Sequence, residues 1–336
     1  MKIYRSPMRE YSREKTDMLP GTTNKELSAR AAFRLLAAAV ILMIFIFSGV
    51  NAGAALKQKG FATPEAAVRA FAAAMESNDE NELLSIFGMA GKELISSGDP
   101  VRDKQRRETF IADYNRKNKL AQEGSRMILN VGEKDWPFPI PLVKQGDQWF
   151  FDTKAGKEEI LNRRIGENEL STVQTLLAIV DAQREYAMHD RNNDGIREYA
   201  EKFGSDPGKK NGLYWTTQPG EAPSPLGELV AEARAEGYRR SGTQQGPIPF
   251  HGYYFRILKK QGKHAAGGAF DYVVKNKMIG GFAVIAYPAA YGSSGVMTFI
   301  VSHEGMVYQK DLGKNTAKTA TAMTSFDPDK TWKKVE

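Results

Sequence analysis

Residues 169–189 read ELSTVQTLLAIVDAQREYAMH and decide the fold class of this chain. Apolar side chains recur there at Leu170, Val173 and Val180, a spacing that places them on one face of a helix. The stretch therefore predicts a long amphipathic helix of about 32 Å, at roughly 1.5 Å per residue. From residue 250 onward, short alternating segments separated by turn residues predict antiparallel strands packed against that helix.

The chain before this helix also contains the sequence signals of helices followed by strands. Residues 63–65 read Thr-Pro-Glu, which is typical of a helix start because a hydroxyl caps the first turn and proline fits there. Met127, Leu129 and Val131 alternate with Ile128 and Asn130, which is typical of a half-buried strand. The sequence therefore predicts an α+β fold in two domains, residues 60–155 and 167–336, each with helices packed on an antiparallel sheet.

A leader precedes both predicted domains. Residues 35–56 contain no charged side chain, and Arg30 and Arg34 stand directly before them. One interpretation is a cleaved signal peptide, with a basic region at 1–34 and an apolar region plus cleavage site at 35–54. The other is an uncleaved helix that anchors the chain in the membrane. Both interpretations place the rest of the chain outside the cytoplasm, in the periplasm or cell envelope.

The composition excludes several classes of function. The chain has no cysteine, so disulfides, thiolate nucleophiles and cysteine-ligated metals are excluded. Residues 1–54 hold eight of the 47 basic and four of the 40 acidic residues, so the leader carries +4 of the net charge of +7. The small charge that remains gives no sign of nucleic-acid binding. We interpret the basic stretch at residues 102–107 as a solvated helix face.

Residues 190–201, DRNNDGIREYAE, match the pattern of a calcium-binding loop. Oxygen donors stand at positions 1, 3 and 5, glycine at 6 and glutamate at 12. The predicted ligands of Ca²⁺ are Asp190, Asn192, Asp194, the carbonyl group of Ile196, and Glu201. An arginine at position 8 and the lack of a second such loop in the sequence argue against a paired EF-hand. The same residues also suit a turn that ends a helix, and both interpretations stay open.

Two aromatic pairs are candidates for ligand binding. Trp136 and Phe138 lie in DWPFPIP, residues 135–141, where alternate prolines favour extended chain. They either line a ligand groove or cap the core. Tyr214 and Trp215 either form an exposed recognition patch or fold back over the core.

Motifs for catalysis are weak in this sequence. It contains no P-loop, dinucleotide fingerprint, H-E-x-x-H or G-x-S-x-G pattern. We therefore predict a binding or scaffolding module of the cell envelope rather than an enzyme, with an envelope protein or a small ligand as its partner. The alternatives are a hydrolase-like enzyme with a pocket in the first domain, and a pilin-like assembly component.

Seven stretches together resemble one bacterial family, the one known as domain of unknown function 2950. They are SSGDP (96–100), DWPFPIPLVK (135–144), EILNRR (159–164), DAQREY (181–186), GLYW (212–215), HGYYFRI (251–257) and GVMTFIVSHEGMVYQKDLG (295–313). The resemblance covers about residues 60–335. It implies an exported envelope protein and supplies no catalytic residues.

Two weaker resemblances concern the fold. Residues 63–87 together with GDQWFFDT, residues 146–153, resemble NTF2/cystatin-like domains. That resemblance implies a pocket between a helix and a curved sheet. The long helix with the hairpin at residues 295–307 resembles the globular part of type IV pilin-like proteins. A whole domain separates this helix from the apolar leader, which argues against filament assembly of the usual kind.

Overall fold

Helices packed on antiparallel sheets make up the computed structural model, which describes residues 57–239 and 246–336. The predicted α+β fold is confirmed. The predicted leader, residues 1–34 and 35–56, lies outside the described residues. No helix within the described ranges is long and apolar enough to cross a membrane.

The first half of the described chain contains four short helices and a five-stranded sheet. Their bounds are α1 Pro64–Ser77, α2 Glu80–Phe87, α3 Lys92–Ile95, α4 Pro100–Arg116, β1 Asn118–Glu123, β2 Arg126–Val131, β3 Trp136–Pro137, β4 Leu142–Gln145 and β5 Gln148–Phe151. A 3-10 turn, Met89–Gly91, joins α2 to α3. The strand order is β1-β2-β4-β5. Strand β3 pairs with the last two residues of β2, Asn130 and Val131.

The local signals in this half work as the sequence predicts. The Thr63 hydroxyl accepts a hydrogen bond from the Ala66 N–H at 3.1 Å, which caps α1. Asn78, in the left-handed region at φ 55°, ends that helix. Apolar residues of α1 and α2 then pack on the sheet around the fully buried Phe71.

The second half of the described chain contains one long helix, two short helices and nine strands. The elements are α5 Thr153–Ala187, α6 Gly227–Ala235, β6 Tyr253–Leu258, β7 Lys260–Gln261, β8 Phe270–Asp271, β9 Val273–Val274, β10 Lys277–Met278, β11 Ala283–Pro288, β12 Met297–Ser302, β13 Val307–Asp311, α7 Thr316–Ala322 and β14 Lys333–Lys334. The main sheet has the order β14-β13-β12-β11-β6. Helix α5 packs on β11 and β12, and the predicted hairpin at residues 301–305 joins β12 to β13.

The long helix differs from its prediction. It begins at Thr153, sixteen residues before the expected start at Glu169, and Asp152 caps it. The added segment escaped the periodicity argument because Leu161 is its one buried apolar side chain, and its other buried residues, such as Gly156, Arg164 and Asn168, are small or polar. The helix therefore runs through the interval between the two predicted domains.

The second half also differs in detail from the strands expected after residue 250. Residues 270–274 form two short strands, β8 and β9. Helix α7, with no strong apolar period, follows β13 where only strands were expected.

The described residues belong to one compact unit, and their apolar side chains form two separate clusters. One cluster surrounds Phe71 in the first half. The other lies between α5 and the second sheet around Tyr253 and Phe299. The division into domains at residues 60–155 and 167–336 stays a prediction, because these observations do not test where a domain ends.

A buried carboxylate joins the two halves at Asp99. Its Oδ1 caps α4 by accepting hydrogen bonds from the N–H groups of Val101 and Arg102, both at 3.2 Å. Its Oδ2 accepts from the Tyr238 hydroxyl at 2.8 Å and from the Gly252 N–H at 2.7 Å. Burial and the Asp99 charge raise the pKa of Tyr238, so that hydroxyl stays protonated and donates.

Gly252 is required at this joint. Its φ is +77°, and a Cβ atom there would lie 2.6 Å from Nδ2 of Asn168. That Nδ2 donates to the Ser294 carbonyl at 2.8 Å, which adds a second link between the long helix and the second sheet.

We expect Asp99→Ala to lower the free energy of unfolding by about 3–5 kcal/mol. The substitution removes a helix cap, worth about 1 kcal/mol, and leaves buried donors without an acceptor at about 1–3 kcal/mol each. Urea unfolding followed by circular dichroism measures the loss.

Asp79→Ala is the matched control, because Asp79 caps α2 with one hydrogen bond at an exposed position. It should cost about 1 kcal/mol. Equal losses in the two variants would show that Asp99 acts only as a local cap.

Candidate functional site

A cavity of about 740 Å³ lies in the first half of the described chain, between α1, α4, the start of α5 and the sheet. Its apolar lining includes Phe71, Met75, Leu83, Phe87, Phe110 and Phe138. The Phe71 ring centroid lies 5.1 Å from those of Phe110 and Phe138 and 5.2 Å from that of Phe87. These packed rings make a firm apolar wall.

Arginines from two helices line the same cavity. Arg102, Arg106 and Arg107 come from α4, and Arg164 comes from α5. Arg102 and Arg106 are four residues apart, so they lie on one face of their helix. The Asp99 cap fixes the start of this helix, and it therefore positions that pair of guanidinium groups.

The carboxylates that line the cavity are already engaged. Glu167 pairs with both Arg102 and Arg106, at 3.2 Å for the second. Asp103 accepts from the backbone N–H and hydroxyl of Ser97 at 2.8 Å and 2.7 Å. Asp113 pairs with Arg116, which is not among the lining residues.

Arg164 is a buried cation, and its hydrogen-bond acceptors among the described residues are neutral oxygens. Its side chain donates to the carbonyl groups of Glu93 at 2.7 Å and Leu94 at 2.6 Å, and to the Ser293 hydroxyl at 3.2 Å. Burial, with the nearby Arg106 charge, lowers the pKa of Arg164 to about 10, so it remains charged at neutral pH. The cavity thus has four guanidinium groups and an excess of positive charge.

Three of these arginines also have a buried nitrogen with no hydrogen-bond acceptor among the described residues. The buried atoms Nε of Arg102, Nη1 of Arg106 and Nε of Arg164 form no hydrogen bond with any described residue. A buried donor without an acceptor is costly, so such groups are uncommon in folded proteins. They add to the positive potential around the cavity.

The structure corrects the interpretation of residues 102–107 as a solvated face. The side chains of Arg102 and Arg106 are 17% and 27% exposed, whereas Lys104 is 72% exposed. One side of α4 thus faces solvent, and the other supplies cations to the cavity. Charge pattern alone does not separate these two sides.

Trp136 and Phe138 both line this cavity. Phe138 is buried and belongs to the core, so it is at once a core residue and part of the cavity wall. Trp136 is 36% exposed, and the Arg163 guanidinium lies 5.6 Å from its ring centroid. The structure therefore places the first predicted pair together at the cavity, and ligand binding by it stays a prediction.

Tyr214 and Trp215 lie elsewhere, beside a second cavity of about 380 Å³. Trp215 is 8% exposed and packs on the second core, with Arg191 and Lys210 at 5.2 Å and 5.6 Å from its ring. Arg234 lies 5.1 Å from the Tyr214 ring. Cations therefore accompany the aromatic faces of this pair, and recognition by it stays a prediction.

The predicted calcium loop follows α5 and forms a network of its own. The Asp190 carboxylate accepts hydrogen bonds from the N–H groups of Asn192, Asp194 and Gly195. Asp194 also pairs with Lys277. Ile196 donates its N–H to Asp194. Thus Asp190, Asn192 and Asp194 do come together.

Glu201 does not join this network, because its carboxylate pairs with Lys259. Within the described ranges, no group of three or more acidic or histidine side chains is arranged to hold a metal ion. Burial raises the pKa of the adjacent Glu198 carboxyl, and the charges of Asp194, Glu201 and Asp190 add to that effect. Calcium binding at this loop stays a prediction.

A family model described as protein of unknown function, DUF2950, matches residues 58–335. The chain belongs to the DUF2950 family. The resemblance stated from the sequence is therefore confirmed, over almost the expected range. No curated protein and no solved structure matches this DUF2950 chain. The likeness to NTF2/cystatin-like and type IV pilin-like domains is not shown.

The loop offers a direct test of calcium binding through Lys277→Met. The Lys277 ammonium competes with any cation for the Asp194 carboxylate. We therefore expect the variant to melt lower than wild type in chelator and to show a larger rise in melting temperature with Ca²⁺, by mass action. Differential scanning fluorimetry with Ca²⁺ and Mg²⁺ measures both effects. Equal melting temperatures with and without Ca²⁺, in wild type and variant alike, would contradict the calcium prediction.

Proposed function

We propose that this DUF2950 protein is a non-enzymatic binding module of the cell envelope whose 740 Å³ cavity takes an amphipathic anion. The observation that carries this proposal is that four guanidinium groups and three carboxylates line an apolar, aromatic cavity. Residues 35–56 support the cellular location, as a signal peptide or as a membrane anchor. Nucleic acid is not part of the proposal.

The apolar wall favours an elongated hydrocarbon group. The cavity volume falls within the range of about 300–1,000 Å³ that is typical of small-molecule sites. Each methylene group moved from water into such a site contributes about 0.8 kcal/mol. The half-buried Phe110 ring presents this kind of surface, and the buried rings of Phe71 and Phe138 pack behind it.

The arginines favour a negatively charged head group. Hydrogen bonds between guanidinium and an anion are about twice as strong as neutral ones, and a partly buried site strengthens them further. An anion would also offset the charge of Arg164, which has no carboxylate among its recorded hydrogen-bond partners. A neutral or cationic amphiphile would gain neither effect.

The position of the cavity between helices and sheet supports the NTF2/cystatin-like interpretation of the first half. Catalysis is not part of the proposal, because each lining carboxylate, on Asp103, Asp113 and Glu167, already has a hydrogen-bond or ion-pair partner. We do not adopt the pilin-like assembly role, since no observation favours it over ligand binding.

Isothermal titration with decanoate, decanol and decyltrimethylammonium, below their micelle concentrations, tests the proposal on the purified protein. We expect decanoate to bind more tightly than the other two. The double variant Arg102→Gln/Arg106→Gln should weaken decanoate at least about tenfold, since charged hydrogen bonds are worth about 1.5–3 kcal/mol.

Lys104→Gln is the matched control. Lys104 lies on α4 between the two arginines, but its side chain is 72% exposed and pairs with Glu108. It should leave decanoate affinity unchanged. Binding of decanoate that survives the double variant, or no binding of any amphiphile to wild type, would refute the proposed function.

A further inference from the structure

Glu167 occupies a position that a bound anion would need. It projects from α5 toward α4, where its Oε1 meets Nη2 of Arg102 and its Oε2 meets Nη2 of Arg106. Each oxygen of a single carboxylate thus faces a different guanidinium group. The two arginines are therefore spaced to bind the two oxygens of one planar carboxylate.

The two sides of this contact differ in how firmly they are held. Arg102 also donates to Oε1 of Gln105 at 3.1 Å, and Arg106 donates to Oδ1 of Asn168 at 3.0 Å. Both arginines therefore have partners that keep them in place without Glu167. The Glu167 side chain is 52% exposed, and these two arginines are its recorded ion-pair partners.

The exposed end of this ion pair is Glu167, and water and salt screen exposed charges. The Glu167 carboxylate can therefore turn to solvent when another anion takes its place, while the arginines stay oriented. Glu167 also lines the same cavity as the aromatic wall. An anion that replaced its carboxylate would have the apolar cavity directly beside it.

We propose that the ligand of this cavity is an amphipathic carboxylate whose head group displaces the Glu167 carboxylate from Arg102 and Arg106. Glu167 is then an internal competitor that sets the affinity of the site and favours planar carboxylates, which have its own oxygen spacing. This inference rests on the proposed function, since it needs a ligand in the cavity.

Glu167→Gln is the direct test, with decanoate as the probe. The variant loses the competing charge, so decanoate should bind on the order of two- to fivefold more tightly, the factor that corresponds to an exposed ion pair. Glu167→Asp keeps a carboxylate and should bind decanoate about as wild type does. In the Arg102→Gln/Arg106→Gln background, Glu167→Gln should give no gain, which a purely structural effect would not predict.

Two controls make the result specific. Asp181→Asn makes the same change of charge on the same helix at the Arg184 pair, and it should leave decanoate affinity unchanged. Decanesulfonate has the same single charge as decanoate with a tetrahedral head group, and it should bind wild type more weakly.

The possible outcomes distinguish a failure of this inference from a failure of the proposed function. Unchanged or weaker decanoate binding in Glu167→Gln, with binding still dependent on Arg102 and Arg106, would overturn displacement and leave the proposed function standing. Tighter binding of decanesulfonate than of decanoate would overturn the carboxylate assignment. No decanoate binding in wild type or any variant would overturn both.

Discussion

The buried carboxylate of Asp99 is the contact on which the rest of this structure depends. It binds donors from both halves of the described chain: the first turn of α4, the Tyr238 hydroxyl and the Gly252 backbone. A buried charge is tolerated only when its hydrogen bonds are complete. The two halves must therefore remain together, even though each has its own apolar core. The long helix α5 crosses between them and adds Arg164 and Asn168 to the same buried polar seam.

The candidate site depends on that seam. Arg102 and Arg106 lie in the first two turns of the helix that Asp99 caps, and Arg164 reaches from α5 to carbonyl groups before α4. The arginines are thus held by backbone and side-chain partners before any ligand arrives. Such preorganisation lowers the entropy that binding would otherwise cost. The aromatic wall beside them is equally fixed, because Phe71 contacts several other rings.

The sequence predicts the local elements well and the site poorly, for a physical reason. Capping residues and periodicity indicate α1, α4, β2 and the strands of the second sheet, because these signals act between residues close in sequence. The first sixteen residues of α5 were missed, since most of their buried side chains are small or polar. Tyr238 and Gly252 lie 139 and 153 residues after Asp99 in the sequence. No local pattern relates them, and the cavity that Arg106 and Glu167 share exists only once the chain has folded.

The most direct test of the account is a crystal structure of the protein grown with decanoate. The account predicts the hydrocarbon chain along Phe110 and Trp136, the carboxylate on Arg102 and Arg106, and the Glu167 side chain turned away from both arginines. Decanoate bound elsewhere, or a cavity closed by its own side chains with Glu167 still on the two arginines, would contradict it.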